Sequence, residues 1–155
     1  MEIMTNSQPL SGRLSRPLQS LRVMIAEDDI DDQMLIRDAL EHNGVDCNDV
    51  LFANDGQELL THLANGCSAP AIVLLDLNMP RKDGRETLRE IKSTEKYKHI
   101  PVIIFTTSSA DEDIRLTYQS GGNSFFTKPS NFDDLVNVLA LIKRYWLESA
   151  LLLPV

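Results

Sequence analysis

The stretch Ala71-Ile72-Val73-Leu74-Leu75-Asp76-Leu77-Asn78-Met79-Pro80-Arg81-Lys82-Asp83-Gly84 decides the fold of this chain. An uninterrupted apolar run ends in a single carboxylate, and turn formers follow at once. A run without polar alternation is what a parallel strand needs when helices cover both of its faces. Pro101 to Thr106 repeats the pattern, and Leu21 to Ala26 leads into an acidic pair, Glu27-Asp28. Strand-like runs occupy 21–26, 49–53, 71–76, 101–106 and 123–127, while helical periodicity fills 31–43, 56–65, 84–94, 111–120 and 131–150. Five strands alternating with five helices specify an α/β fold, a doubly wound five-stranded parallel sheet between two helical layers.

Caps support these boundaries. Gly44 follows the first helix, where a left-handed residue closes it. Asp55 stands ready to cap the second helix and Ser130 or Asn131 the fifth, with Asp133 and Asp134 placed against that helix's N-terminal dipole.

In open parallel sheets, working groups collect at the carboxyl ends of the strands. Glu27, Asp28 and Asp76 fall at such ends, and so do Thr106 and Lys128. A strand-end aspartate is a candidate phosphate-accepting nucleophile. Further acids beside it attract a divalent cation, since clustered carboxylates resist ionising together without one. The lysine supplies positive charge to an incoming phosphoryl group.

Composition narrows the function classes. The formal charge of the 155 residues is −8, and the first twenty contribute Arg13, Arg16 and Glu2, which leaves −9 on the remainder. That balance repels nucleic acid phosphates, so no nucleic acid partner is expected. No apolar run approaches the ~20 residues of a membrane span. Met1 to Ser20 has no apolar core of a secretory signal and reads as a flexible lead-in. Cys47 and Cys67 lack any zinc-ligand spacing and read as free thiols, consistent with a cytoplasmic protein. His42, His62 and His99 fall on separate elements and read as structural or solvent-exposed.

Residues 21–145 resemble the receiver domain of two-component response regulators, on Glu27-Asp28, Asp76, Thr106 and Lys128-Pro129, in that order and at strand ends. The tail around Trp146 is similar to that of single-domain regulators that partner cyanobacterial phytochromes. The resemblance implies a strand order 2-1-3-4-5 and a set of roles. Asp76 would take a phosphoryl group from a phosphohistidine. Mg²⁺ (or Mn²⁺) would sit on Asp28, Asp76 and the Asn78 main-chain carbonyl, with Glu27 acting through a bound water. Thr106 would be the switch hydroxyl and Phe125 the rotating aromatic, here without a phenolic hydroxyl. Asn78 and Ser108 match positions that set phosphoryl lifetime. The implied partners are a sensor histidine kinase, with a phytochrome as candidate donor, and a downstream phosphorelay or target protein. Such a chain catalyses its own phosphorylation and dephosphorylation and is not an enzyme with a separate substrate. With no output domain after Val155, the signal is expected to leave through protein–protein contact.

Three rivals are weaker. A phosphohydrolase of the haloacid dehalogenase type needs a second Asp two positions after the nucleophile, and Asn78 stands there. A flavin-binding module needs a phosphate-cradling loop after the first strand, where this chain has acids. A degenerate receiver used only for docking would not need intact acids and lysine.

The last helix differs in kind. Its apolar positions from Phe132 to Trp146 cover about 220°, whereas packing on one sheet face needs only about 100°. Leu147, Leu151, Leu152, Leu153 and Val155 extend the apolar character. Residues 146–155 are therefore expected to form an interface, with Tyr145, Trp146, Leu147 and Leu151 in a homodimer contact. The bland rival is a tail folded back on its own domain.

Overall fold

A computed structural model describes residues 21–66 and 69–153. The expected lead-in at 1–20, Cys67 and Val155 lie outside these residues. The chain alternates β1 (Val23–Ala26), α1 (Ile30–His42), β2 (Val50–Ala53), α2 (Gly56–Asn65), β3 (Ile72–Leu75), α3 (Gly84–Ser93), β4 (Val102–Thr106), α4 (Asp111–Gln119), β5 (Ser124–Thr127) and α5 (Phe132–Ile142). A short 3-10 turn, Cys47–Asp49, precedes β2. The five strands pair in parallel in the order β2-β1-β3-β4-β5, as expected.

The uninterrupted apolar strands are explained by two cores. On one face Met24, Val73, Leu75, Val102 and Ile104 meet Leu59 and Leu63 of α2 and Leu88 and Ile91 of α3. On the other, Val23, Ile25, Leu74, Ile103 and Phe105 meet Ile36 and Leu40 of α1 and Leu135 and Leu139 of α5. Successive strand residues point to opposite faces, so β1, β3 and β4 as far as Phe105 must be apolar at every position. Each fully buried Leu or Ile contributes about 1.5–3 kcal/mol by leaving water.

Caps set where helices begin. Asp55 accepts from the Glu58 amide at 2.8 Å, Asp83 from Glu86 at 3.1 Å, and Asn131 from Asp134 at 2.9 Å. Of the two residues proposed for the last of these, it is Asn131 that caps. Gly44 has φ +82°, the left-handed closure anticipated after α1. Helix α4 is the exception: its N-cap is Ala110, which makes no side-chain cap bond, and only Thr117 on it is buried.

The predicted continuous helix over 131–150 needs correction. Regular α-helix ends at Ile142, and Lys143–Ser149 continue as a wider π-helical turn. Ala150 donates its amide to the Tyr145 carbonyl at 2.7 Å, one residue wider than α spacing. Lys143 Nζ ties the start of this turn to the Asn43 carbonyl at 2.6 Å and to Glu148 at 3.1 Å. The wider turn alters the angular position of everything after it. Trp146, Leu147 and Leu152 pack against the α1/α5 core. The tail thus folds back in part, and the apolar arc is smaller in solvent than the sequence implies. Leu141, Tyr145, Leu151 and Leu153 remain exposed, Leu151 fully.

Candidate phosphoacceptor and metal site

Backbone ladders bring the charged strand ends together. The Asp76 amide donates to the Ala26 carbonyl at 3.1 Å, Glu27 to Ala53 at 2.9 Å, and Lys128 to Thr106 at 2.7 Å. Each acidic or basic residue therefore continues its strand's pairing by one step, at the same edge of the sheet. The following loop is closed at Gly84, whose amide donates to the Leu77 carbonyl at 2.9 Å. A Cβ there would lie 2.1 Å from the Asp76 carbonyl oxygen, so only glycine lets α3 begin this close to the strand end.

Glu27, Asp28 and Asp76 each offer a carboxylate oxygen, and these atoms lie within 4.8 Å of one another. Glu27 is 2% exposed and Asp76 7%, while Asp28 faces solvent. Lys128 Nζ donates to Glu27 and approaches Asp76 and Asp32 at 3.3 Å each. One ammonium thus faces three carboxylates, and Asp28 adds a fourth acid to the cleft. That surplus of negative charge, with hard oxygen donors in one small space, suits a divalent cation such as Mg²⁺ or Mn²⁺.

Ionisation follows from the same geometry. Burial pushes the Glu27 carboxyl above its ordinary value, outweighing the Lys128 hydrogen bond and charge and the Asp29 amide. Burial alone would favour neutral Lys128. The hydrogen bond to Glu27 and the charges of Asp76, Glu27 and Asp32 outweigh it and hold the lysine above its ordinary value. Glu27 shares its single cation with two other acids, so it gains less from the arrangement than Lys128 does.

The other sequence-predicted residues divide clearly. Asn78 sits beside the nucleophile, its amide donating to Asp76 Oδ1 at 3.4 Å. Thr106 is fully buried, and its hydroxyl has no hydrogen-bond partner. Phe125 is half-buried against the α2/α3 core. Ser108 donates to Asp113 Oδ2 at 2.6 Å. Tyr145, Trp146, Leu147 and Leu151 lie away from this cleft: Trp146, Leu147 and Leu151 line a groove of about 450 Å³ with Leu21, His99 and Pro101, next to the amino ends of the strands. His42 packs edge-on to Phe132 at 5.9 Å, outside the site.

Sequence reading missed two residues here. Asp32 reaches Lys128 from the first turn of α1, three positions after the N-cap Asp29. Asp29, read as a solvated neighbour, is the N-cap of α1 and accepts from the Asp31 and Asp32 amides at 2.9 and 3.2 Å.

Comparison with known proteins agrees with this geometry. The probable methanogenesis regulatory protein FilR2 of Methanothrix harundinacea is 39% identical over 129 residues, 81% of this chain and 83% of that protein. The crystal structure of the phosphorylated cyanobacterial phytochrome response regulator RcpA superposes with a TM-score of 0.79 at 34% identity, covering 87% of this chain and 99% of that one. The Mn²⁺-bound form of response regulator Rcp1, a Synechocystis protein, superposes at 0.78 with 32% identity, covering 86% and 99%. Residues 23–140 match the response regulator receiver domain, and the chain belongs to that family of two-component phosphoacceptors.

Proposed function

We propose that this chain takes a phosphoryl group on Asp76 from the phosphohistidine of a sensor histidine kinase and passes the signal on by protein–protein contact. The observation that carries this is the convergence of Asp76 with Lys128 at 3.3 Å in a cleft holding Glu27 and Asp28 within 4.8 Å. In the transfer, an Asp76 carboxylate oxygen bonds to phosphorus, the phosphorus–nitrogen bond breaks, and the imidazole leaves with its electron pair. The chain itself positions and neutralises. Lys128 meets the phosphoryl oxygens, and Asp28, Asp76 and the Asn78 carbonyl would hold Mg²⁺, with Glu27 reaching it through water. When bound, the cation would supply positive charge to the anionic oxygens.

Thr106 supports a switch. Its buried hydroxyl without a partner costs about 1–3 kcal/mol, and a phosphoryl oxygen on Asp76 would give it one. Phe125, half-buried three positions before Lys128, can follow the loop after β4 inward. Asn78, beside the acceptor, and Ser108, two positions after Thr106, tune hydrolysis of the acyl phosphate. Ile30 and Met34 are exposed one helical turn apart beside Asp28, an apolar landing for the donor at the mouth of the cleft. RcpA is a phytochrome regulator, and this likeness makes a phytochrome kinase the candidate donor.

Intact mass after incubation with Mg²⁺ and acetyl phosphate tests the reading. Wild type should gain one phosphoryl group, and Asp76→Asn or added EDTA should abolish the gain. A folded wild type that gains none would leave a docking module or a receiver that accepts phosphate only from its own kinase.

The homodimer reading rests on Leu141, Tyr145 and Leu151, all exposed on α5 and the tail. Light scattering at micromolar concentration should give a dimer mass for wild type and a monomer mass for Leu141→Glu/Leu151→Glu. An unchanged mass sinks the interface. Both positions are exposed, so the double substitution leaves Trp146 and Leu147 in place against the core.

A further inference from the structure

Arg85, in the first turn of α3, joins the two loops that flank the acceptor. Its Nη2 lies 2.8 Å from Asp113 Oδ1, and its Nε donates to the same oxygen at 2.9 Å. Its Nη1 reaches the carbonyl of Leu77, the residue after Asp76, at 3.5 Å and the Asp83 carboxylate at 3.7 Å. Asp113 is on α4, and its other oxygen accepts from Ser108 Oγ at 2.6 Å. Ser108 Oγ also accepts from the Ala110 amide at 3.3 Å. A chain of charge-assisted bonds therefore runs from the nucleophile's loop through Arg85 and Asp113 to the loop two residues beyond Thr106.

This tie coexists with an unpartnered Thr106 hydroxyl, so it belongs to the arrangement in which the switch is not engaged. Pulling the loop after β4 towards Asp76 displaces Ser108, while Arg85 is held by the Leu77 carbonyl and the α3 N-cap. Either the Ser108–Asp113 bond or the Asp113–Arg85 pair must then give way. The surrounding packing opposes little: α4 buries only Thr117 and lacks a capping side chain. With so little apolar anchoring, these polar bonds are the main restraint on the loop.

We propose that Arg85 and Asp113 form a latch that holds the β4–α4 loop in its resting position and sets how readily Asp76 is phosphorylated. Arg85 is a positioning residue that acts through Asp113 and Ser108. The inference rests on the phosphoacceptor reading of Asp76.

The test uses Arg85→Ala, Asp113→Asn and Arg85→Lys in the full chain, each checked for folding by circular dichroism and urea unfolding. Amide exchange is followed without metal, and phosphorylation with Mg²⁺ and acetyl phosphate. Arg85→Ala and Asp113→Asn should exchange the Thr107–Ala110 amides faster and take up phosphoryl groups about three- to tenfold faster. Arg85→Lys, which keeps charge but loses the planar fork, should fall between. In a Thr106→Ala background the rate gain should vanish, which a merely structural role would not produce. Unchanged exchange, an unchanged or slower rate, or a gain that survives Thr106→Ala each overturns the latch. A wild type that takes up no phosphoryl group from either acetyl phosphate or a phosphorylated histidine kinase removes the phosphoacceptor reading itself. A wild type phosphorylated as fast as the variants removes the latch alone.

Discussion

The centre of the sheet and its β5 edge are built differently. Around β1 and β3, every strand residue is buried, both faces are packed by helices, and α1, α2 and α3 each begin at an aspartate cap. Around β5 and α4, the strand is half-buried, the helix buries one residue and no side chain caps it. The acids stand on the first region, while Lys128 and the switch elements belong to the second. Chemistry needs carboxylates fixed to within a fraction of an ångström, whereas a switch needs a low-cost alternative arrangement. The molecule divides these demands between its two halves.

Substitutions can break that contrast. Leu74→Ala, in the fully packed β3, should lower the unfolding free energy by about 3–4 kcal/mol in urea titration. Gly84→Ala drives a Cβ to within 2.1 Å of the Asp76 carbonyl oxygen. It should cost about 1–3 kcal/mol and depress phosphoryl uptake, since the nucleophile's own backbone must move. Leu116→Ala, on the half-buried face of α4, should cost about 1 kcal/mol. A cost equal to that of Leu74→Ala would erase the distinction between the halves.

A gain sharpens it. Ala110→Asp gives α4 the cap it lacks and should add about 0.5–1 kcal/mol, read as slower amide exchange through the first turn of that helix. The smallest effect is electrostatic. The hydrogen bond from Ser108, then Arg85's hydrogen bond and charge, hold Asp113 below its ordinary value of 3.8 against the opposing effect of burial. A depressed carboxyl contributes stability that is fully present above its unfolded value and is lost as pH falls through the folded one. The stability gap between wild type and Asp113→Asn should therefore be flat above about pH 5 and close below pH 3.8. A gap that does not narrow at all as the pH falls below 3.8 would mean that the aspartate's charge is irrelevant to it.

Most of the architecture was legible because apolar runs and strand-end charges are local signals. Ala71 to Asp76 reads as a buried strand with an acceptor at its mouth without any knowledge of the rest. What escaped reading depends on where helices face. Asp31 and Asp32 are chemically identical neighbours, and the way α1 sits on the sheet is what brings Asp32, not Asp31, to Lys128. Arg85 and Asp113 are twenty-eight positions apart and meet only after α3 and α4 have packed. The end of α5 failed for a related reason. Its apolar positions fit an ideal helix until Ile142, but Lys143's bond to Asn43 and the wider turn re-aim Trp146 and Leu147. Periodicity cannot register a change of period set by a tertiary contact.

The placement of the one tryptophan has a spectroscopic consequence. Trp146 borders the groove beside Leu21 and Pro101, next to the starts of β1 and β4, whereas Asp76 follows the end of β3. Four or five strand residues at about 3.3 Å each put roughly 13–17 Å of packed sheet between the two ends. Its emission is thus a private reporter of the tail, sensitive to docking or pairing of the last leucines. A fluorescence change on adding Mg²⁺ and acetyl phosphate would be a signal that had crossed the whole domain, not one from the acceptor's own surroundings.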